Sequence, residues 1–272
     1  MEVILVVQKI DGDAYLSLEN VVKSYGKIAV LSGVNMRIDK GEFVCILGNT
    51  GCGKSTLLKI MGGIEREERG EVIFQGIPMP RKNTAARQRR FGMVFQQDSL
   101  MEWRTVDENV RFPLEVFGLR DSRYLRRVDE TLESVGLAKF RGLYPRELSG
   151  GMRQRVAIAR ALVHDPEVLF LDQPFDAVDA ITRMTLSREL LKMWQSTLKT
   201  IVMITNSIEE ALMLGGRIII LSDIPSSISS VFEVSIPFEE RMGDLRKNRT
   251  FQLLRSEIRS TLDRQDQGGL DS

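Results

Sequence analysis

Residues 48 to 56 read Gly48-Asn49-Thr50-Gly51-Cys52-Gly53-Lys54-Ser55-Thr56, a set of types and spacings suited to holding a phosphate chain. Glycines let successive backbone N–H groups turn inward and come close to phosphate oxygens, and a helix that starts at the end of the turn adds its positive dipole end. Lys54 would reach the β- and γ-phosphates, and the Ser55 hydroxyl would ligate Mg²⁺. Glycine at the first and sixth positions with Lys-Ser closing the run completes the P-loop pattern. Such chemistry needs a carboxylate for the metal, and Leu169-Phe170-Leu171-Asp172 supplies one at the end of an apolar run. A second glycine pair, in Leu148-Ser149-Gly150-Gly151-Met152-Arg153-Gln154, reads either as another anion site at a helix start or as an ordinary helix cap. Tyr25, ahead of Gly26, either stacks on a purine ring or is a half-buried loop tyrosine.

These residues need strands and helices to position them. Phe43-Val44-Cys45-Ile46-Leu47 reads as a buried strand and Leu57-Leu58-Lys59-Ile60-Met61 as a helix, giving strand, turn and helix around the glycines. Before them, residues 15 to 21 alternate apolar and polar as a half-exposed strand, and residues 34 to 47 read as two strands joined at Asp39-Lys40-Gly41. Residues 70 to 76 form a further short strand. Residues 78 to 90 are a polar connection with Arg81, Lys82, Arg87, Arg89 and Arg90, the composition of a solvated face. Phe91 to Phe95 is a strand leading into Gln96-Gln97-Asp98.

From about 105 to 164 the period becomes helical. Thr105 is a good N-cap with Asp107 and Glu108 in the first turn. A second helix covers about 124 to 135, and a third runs from Ser149-Gly150 to His164-Asp165-Pro166. Apolar strands then alternate with helices: 168 to 171, a helix from about 180 to 196, 200 to 204, another helix, and 217 to 221. That alternation means a parallel sheet with a helical lobe inserted into it. Phe251, Leu254, Ile258 and Leu262 share one face of a final helix, which reads either as packing on the core or as binding a partner. Residues 265 to 272 are polar and read as disordered.

The 272 residues carry 43% hydrophobic and 28% charged side chains and a net charge of +1, enough apolar content for a core and no basic excess to argue for nucleic acid. The two cysteines, Cys45 in the buried strand and Cys52 in the glycine turn, offer no disulfide framework and fit a reducing compartment. No apolar run approaches the roughly 18 residues of a membrane span. The first seven residues lack the basic leader of a signal peptide and read as a short strand or a frayed tail.

The glycine turn, Phe95-Gln96, Leu148 to Gln154 and Leu171-Asp172 stand in the order and spacing of an ABC transporter nucleotide-binding subunit, which the chain resembles over roughly residues 16 to 225. Trp103-Arg104-Thr105-Val106, Pro145-Arg146-Glu147 and the stretch from Asp176 to Arg183 look most like the nitrate, sulfonate, taurine and bicarbonate importer branch. The resemblance implies an α/β P-loop NTPase (RecA-like) core with a mainly parallel sheet, an antiparallel β part at the N-terminal side and an inserted helical subdomain at about 98–160. In this division residues 1–15 are an extension, 16–235 the nucleotide-binding domain and 236–272 a helical tail. It further implies ATP and Mg²⁺ bound between the P-loop of one subunit and Ser149, Gly150 and Gly151 of a second ATP-binding subunit in a two-fold arrangement. Tyr25 becomes the adenine-stacking residue, Gln96 a sensor of metal and γ-phosphate that shares the metal with Ser55 and Asp172, and Asp179 the aspartate facing across the dimer. The segment through Trp103 would dock on membrane-spanning permease subunits at the cytoplasmic face of the membrane, with an external solute-binding protein as a further partner and no nucleic acid.

Two catalytic positions depart from the family. Gln173 stands where the family has the glutamate that polarises the attacking water, and Asn206 where it has a histidine that contacts the γ-phosphate. General-base help is worth about 10²–10⁴-fold in rate, and one transition-state contact about 3–4 kcal/mol. Lys54, Ser55 and Asp172 are spared, so the expectation is an importer ATPase that binds MgATP well and hydrolyses it poorly at its own site. The chain is then either one half of a heterodimer or a form in which a substitution traps ATP. A non-hydrolysing nucleotide-gated scaffold is the alternative. A soluble ABC protein of DNA repair or translation would bring long coiled-coil insertions or tandem cassettes, and this sequence has neither. His164, the one histidine, is expected to face solvent at a helix end.

Overall fold

The computed structural model describes residues 14–80, 88–96 and 99–268. They fall into two compact units, one drawn from residues 1–82 and 200–272, the other from 83–199. The sequence expectations for the first seven residues, for Arg81, Lys82 and Arg87, and for Gln97 and Asp98 lie outside the described residues.

In chain order the first unit opens with β1 (Leu16–Tyr25), β2 (Ile28–Ile38), β3 (Phe43–Leu47), α1 (Lys54–Met61), β4 (Arg69–Phe74) and β5 (Ile77–Pro78). The second holds β6 (Phe91–Val94), α2 (Val106–Val116), α3 (Ser122–Ser134), α4 (Gly150–Leu162), β7 (Val168–Asp172) and α5 (Ala180–Thr197). The first then resumes with β8 (Thr200–Ile204), α6 (Ile208–Leu214), β9 (Arg217–Leu221), β10 (Ile228–Glu233), α7 (Phe238–Met242) and α8 (Arg249–Gly268).

In the first unit β3 lies between β8 and β9, parallel to both. All residues of these three strands are buried, which is why they read as unbroken apolar runs. Strand β10 pairs antiparallel with β9. It carries no such run, since only Phe232 in it is buried, and the sequence gives it no strand signal. A separate antiparallel sheet orders β2-β1-β4-β5. Strand β1 runs four residues past the expected end at Val21 and turns at Gly26 (φ 61°) into β2. Tyr25 therefore ends a strand, exposed, rather than sitting half-buried in a loop.

One side chain anchors the segment that leads into the C-terminal helix. Buried Arg241 donates from Nε to the Ile236 carbonyl at 2.7 Å, from Nη1 to Leu214 at 3.2 Å and Gly215 at 2.8 Å, and from Nη2 to Val234 at 2.8 Å. Two of these acceptors belong to the end of α6, where helix carbonyls lack intrahelical partners and the dipole favours a cation. Helix α8 buries Phe251 and Ile258 and pairs Arg255 with Glu209 of α6 at 2.6 Å. It continues to Gly268, past the point where the sequence reads as disordered.

In the second unit β6 and β7 are parallel, with Val94 opposite Leu171. Thr105 caps α2 in a capping box with Glu108, the reciprocal arrangement that satisfies two orphan donors. Helix α4 buries Val156, Ala157, Ile158, Ala159, Ala161 and Leu162, small and branched side chains that allow close packing. His164 corrects its expectation: it is 5% exposed, with Nε2 3.2 Å from the Phe91 carbonyl and its ring centroid 5.2 Å from that of Phe117. A carbonyl can only accept, so Nε2 carries the proton. Burial pushes the imidazole pKa down to about 4.

Two predictions follow from these contacts. Replacing Arg241 by Ala leaves buried carbonyls without donors, and should lower unfolding stability by about 2–4 kcal/mol, read by urea denaturation with early proteolysis of the C-terminal helix. The His164 imidazole takes a proton near 6.5 in the unfolded chain but only near 4 when folded. Its contribution is thus complete above pH 6.5 and is lost as pH falls toward 4, by on the order of 3 kcal/mol. The stability difference between wild type and His164→Gln, measured at pH 7 and at pH 4.5, should shrink by most of that amount.

Candidate functional site

Strand β3 ends at Leu47, and the glycine turn follows it into α1. Three of its glycines have left-handed φ: Gly48 at 151°, Gly51 at 83° and Gly53 at 92°. At Gly53, the residue before α1, an added Cβ would stand 2.7 Å from Val30 Cγ1, so β2 approaches too closely for any side chain. At Gly51 an added Cβ would meet nothing within 4 Å, so that part of the turn faces open space. The closed side carries structure and the open side can take a ligand.

Lys54 is 4% exposed. Its Nζ donates to the carbonyls of Gly48 at 2.7 Å and Asn49 at 2.8 Å, so the ammonium lies across the mouth of the turn. The Asn49 amide donates to Asp223 Oδ1 at 3.1 Å, and the Ser226 hydroxyl donates to the Cys52 carbonyl. Cys52 is buried, and burial raises its thiol pKa against the opposing pull of Lys54. Asp223 and Ser226 were not singled out from the sequence. The available signal was position, because Ser222-Asp223 directly follows β9, whose end lies beside that of β3.

Asn206 follows β8 by two residues and is exposed. Since Ile46 of β3 lies opposite Ile204 of β8, Asn206 leaves the sheet at the same end as the glycine turn. The preceding Thr205 hydroxyl donates to buried Glu210, and Ser207 caps α6 by accepting from the Glu210 N–H at 3.2 Å. The loop carrying Asn206 is thereby held in place. Tyr25 is 46% exposed, with Lys23 Nζ 5.1 Å from its ring centroid. One ring face attracts a cation, and nearly half of the side chain is exposed.

The second unit gathers the remaining residues in two places. Gln96 follows β6 by two residues, and Asp172 ends β7 with Gln173 next. The parallel register of the two strands puts all three at one strand end. Asp172 is buried at 5% exposure. Gln173 adopts a left-handed φ of 48°, unusual for a residue with a side chain, and bends the chain directly after the carboxylate. Elsewhere in this unit Ser149 caps α4, its Oγ accepting from Met152 N–H at 3.3 Å. Gly151 lies against the start of α5, where an added Cβ would come within 2.6 Å of Thr182 Cγ2. Asp179 caps α5, accepting from the N–H groups of Ile181 at 3.1 Å and Thr182 at 3.0 Å. The Thr182 hydroxyl first, and then these backbone donors, hold its pKa below the usual carboxylate range. Gly151 and the helix start that Asp179 caps are thus packed together. Trp103 is 77% exposed. Among the described residues no helix is long and apolar enough to cross a membrane, and no group of three or more His, Cys, Asp or Glu side chains is placed to hold a metal ion alone.

Comparison with known proteins agrees with this geometry. A family model described as ABC transporter matches residues 31–176. The chain is 40% identical to the aliphatic sulfonates import ATP-binding protein SsuB of Bacillus cereus, over 94% of this chain and 97% of that protein. It is 41% identical to the taurine import ATP-binding protein TauB of Jannaschia sp., over 86% of each. Among solved structures, the dimeric ATP-binding cassette MJ0796, in a post-hydrolysis state bound to ADP and Pi, matches with a TM-score of 0.72 and 35% identity, over 82% of this chain and all of that one. With glycine turn, strand-end aspartate and capped Ser-Gly-Gly helix in their places, the chain belongs to the ABC transporter family, as an ATP-binding subunit with the P-loop fold of the ABC-type ATPases.

Proposed function

We propose that this chain is the ATP-binding subunit of an importer for a sulfonate-like or other small anion, coupling MgATP-driven closure of a subunit dimer to movement of membrane-spanning permease partners at the cytoplasmic face. The observation that carries the reading is the glycine turn, with its left-handed Gly51 open to solvent and Lys54 held across its mouth. Incoming phosphate oxygens would replace the two carbonyls as acceptors for Lys54 and would collect the inward N–H groups from Asn49 to Thr56. Tyr25 would stack on the adenine. Ser149, Gly150 and Gly151 would complete the pocket of the second ATP-binding subunit, with Asp179 at the same interface. Trp103 would dock on the permease, and an external binding protein would deliver the solute. The sulfonate and taurine relatives support the solute class. For the domain limits we adopt 16–235 as the nucleotide-binding domain with its helical insertion near 98–160, and 236–272 as the helical tail.

Magnesium suits the residues present. By the family resemblance Ser55, Asp172 and Gln96 would each offer a hard oxygen donor, and phosphate and water would supply the remaining ligands, which is how Mg²⁺ is usually held. When bound, the ion would draw charge from the β- and γ-phosphates.

The chain's own hydrolytic step is slow on this reading. Gln173 sits beside the buried aspartate, where its neutral amide can orient a water but cannot take its proton. Asn206 can donate a hydrogen bond to phosphate but carries no positive charge. Neither change touches the residues that hold the nucleotide in its ground state, so binding and turnover part company. The intact Ser149-Gly150-Gly151 favours, as a second reading, the degenerate half of a heterodimer or a nucleotide-gated scaffold.

Two measurements test this. Fluorescent ATP should bind wild type only with Mg²⁺, and Lys54→Ala should weaken binding more than about tenfold, one lost charge-assisted contact. Absence of magnesium-dependent binding would sink the whole reading. In single-turnover and steady-state assays on the purified homodimer, Gln173→Glu should raise kcat by about 10²-fold or more with little change in nucleotide affinity. Ordinary multiple turnover by wild type would instead show that hydrolysis does not depend on these two positions.

A further inference from the structure

A cavity of about 510 Å³ lies within the second unit, built from none of the residues assigned to the nucleotide. Arg89 and Arg90 approach it from the turn before β6, and Arg123, Tyr124 and Arg127 from the first half of α3. His164, Asp165 and Glu167 line it from the connection between α4 and β7. The sequence reads Arg89 and Arg90 as part of a solvated basic face. Both are half-buried instead.

Its charges are unevenly matched. Arg90 pairs with Glu167 at 2.6 Å. Arg127 pairs with Asp165 at 3.1 Å, and Lys199 holds the same carboxylate at 2.7 Å. Arg89 and Arg123 converge on a neutral group. The Arg89 guanidinium donates to the Tyr124 hydroxyl, and Arg123 Nη2 donates to the same oxygen at 3.1 Å. Their guanidinium carbons stand 5.6 and 4.7 Å from the Tyr124 ring centroid. Arg123 has only a loose contact with Asp121 at 3.6 Å, its side chain 66% exposed. Among the described residues no carboxylate lies within ion-pair distance of Arg89. Two like charges drawn to one phenol oxygen leave an excess of positive potential in a concave place, where low-dielectric walls strengthen it. In the same wall His164, at 5% exposure, keeps a buried Nδ1 without a hydrogen-bond partner, and such atoms are uncommon in a finished core.

We propose that this cavity binds a phosphate- or sulfonate-type oxyanion, held between the guanidinium forks of Arg89 and Arg123 and the Tyr124 hydroxyl. Forked guanidinium donors match tetrahedral oxyanions in geometry as well as charge. Asp165 and Glu167 already neutralise the other walls, which leaves room for one anionic group rather than a broad polyanion. The volume exceeds that of bare phosphate and falls in the ordinary range for small-molecule pockets, so an organic phosphate or alkanesulfonate fits better than the free ion. The concave shape with a buried histidine in its wall favours a free solute over a membrane surface.

His164 is the only histidine in the chain, so one imidazole resonance reports on the cavity without assignment. In tag-free full-length protein, with the nucleotide site filled by a non-hydrolysable MgATP analogue, titration with inorganic phosphate and separately with ethanesulfonate should shift that resonance saturably. Half-saturation is expected near about 1 mM or tighter, a binding free energy of roughly −4 kcal/mol. The double variant Arg89→Gln/Arg123→Gln should raise half-saturation at least about tenfold. Tyr124→Phe, which keeps the ring and removes the hydroxyl, should weaken it in the same direction. Arg126→Gln on the same helix, outside the cavity, should leave it unchanged. No saturable shift, or an equal loss in Arg126→Gln, would overturn the site. So would association with anionic lipid vesicles combined with indifference to both free anions, which would assign the arginines to a membrane surface.

Discussion

A chain that must wrap a phosphate group with its own backbone can do so only where side chains stay out of the way, and everything else here is arranged around that steric fact. Gly53 is forced by contact, because Val30 occupies the space where a Cβ would go. Gly51 is forced by conformation alone, with a left-handed φ and open surroundings. One glycine locks the turn onto β2 and the other leaves its far side accessible. Lys54 then bridges two carbonyls of the same turn, so the loop is held near its working shape before any ligand arrives, and binding spends little on ordering it. The three fully buried strands around it make the platform rigid. Placing polar residues just beyond apolar strand ends is the general solution of open α/β sheets, and Asn206 and Asp223 use it beside the glycine turn.

The same arrangement explains what the sequence could and could not disclose. The glycine turn, the Thr105 capping box, the Asp172 strand end and the Ser149 cap are local: their residues lie within a few positions of one another, and the geometry follows from the residue types. His164, Arg241 and Arg89 are different. Each has a chemistry that suggests solvent when read alone, and each is buried or half-buried because of partners far away in the chain. Phe91 lies 73 residues from His164, and the Leu214 carbonyl lies 27 from Arg241. A charged residue satisfied by backbone carbonyls leaves no complementary charge in the sequence to find. Strand β10 escaped for a related reason, since an edge strand with one buried side chain has no apolar run to announce it. The register of neighbouring strands, which brings Asn206 to the same sheet end as the turn, is likewise set by pairing and not by any motif.

Under the proposed function, binding and chemistry would be separable because they would use different residues. Holding a magnesium-bound triphosphate needs inward N–H groups, one ammonium, a hydroxyl and a carboxylate. Cleaving it further needs a proton acceptor for water and a donor that strengthens as charge builds on the γ-phosphate. Gln173 and Asn206 keep polarity while giving up proton affinity and positive charge. Gln173 also sits at a left-handed φ, so its backbone carries a modest strain of order 1–2 kcal/mol at the bend after Asp172. Strain kept next to a buried carboxylate fits a position fixed for geometry. On the proposed reading such a subunit would close on nucleotide readily and reopen slowly, which would suit a timing role in a dimer as well as a motor role.

The arginine-lined cavity sharpens a point about net charge. The whole chain is within one charge of neutral, and composition alone gives no argument for a nucleic-acid partner. Neutrality in sum hides local imbalance, however, since Asp165 is shared by two cations while Arg89 and Arg123 meet on a phenol. Pairing rules act over a few ångströms and composition over the whole surface. An anion site can therefore exist in a neutral protein wherever the fold brings more guanidiniums than carboxylates into one concave place. Here the fold does so by setting the turn before β6 against the start of α3. That apposition requires α3 to pack through Tyr124, Val128 and Leu132, so the residues that make this helix part of the core also aim its arginines into the cavity.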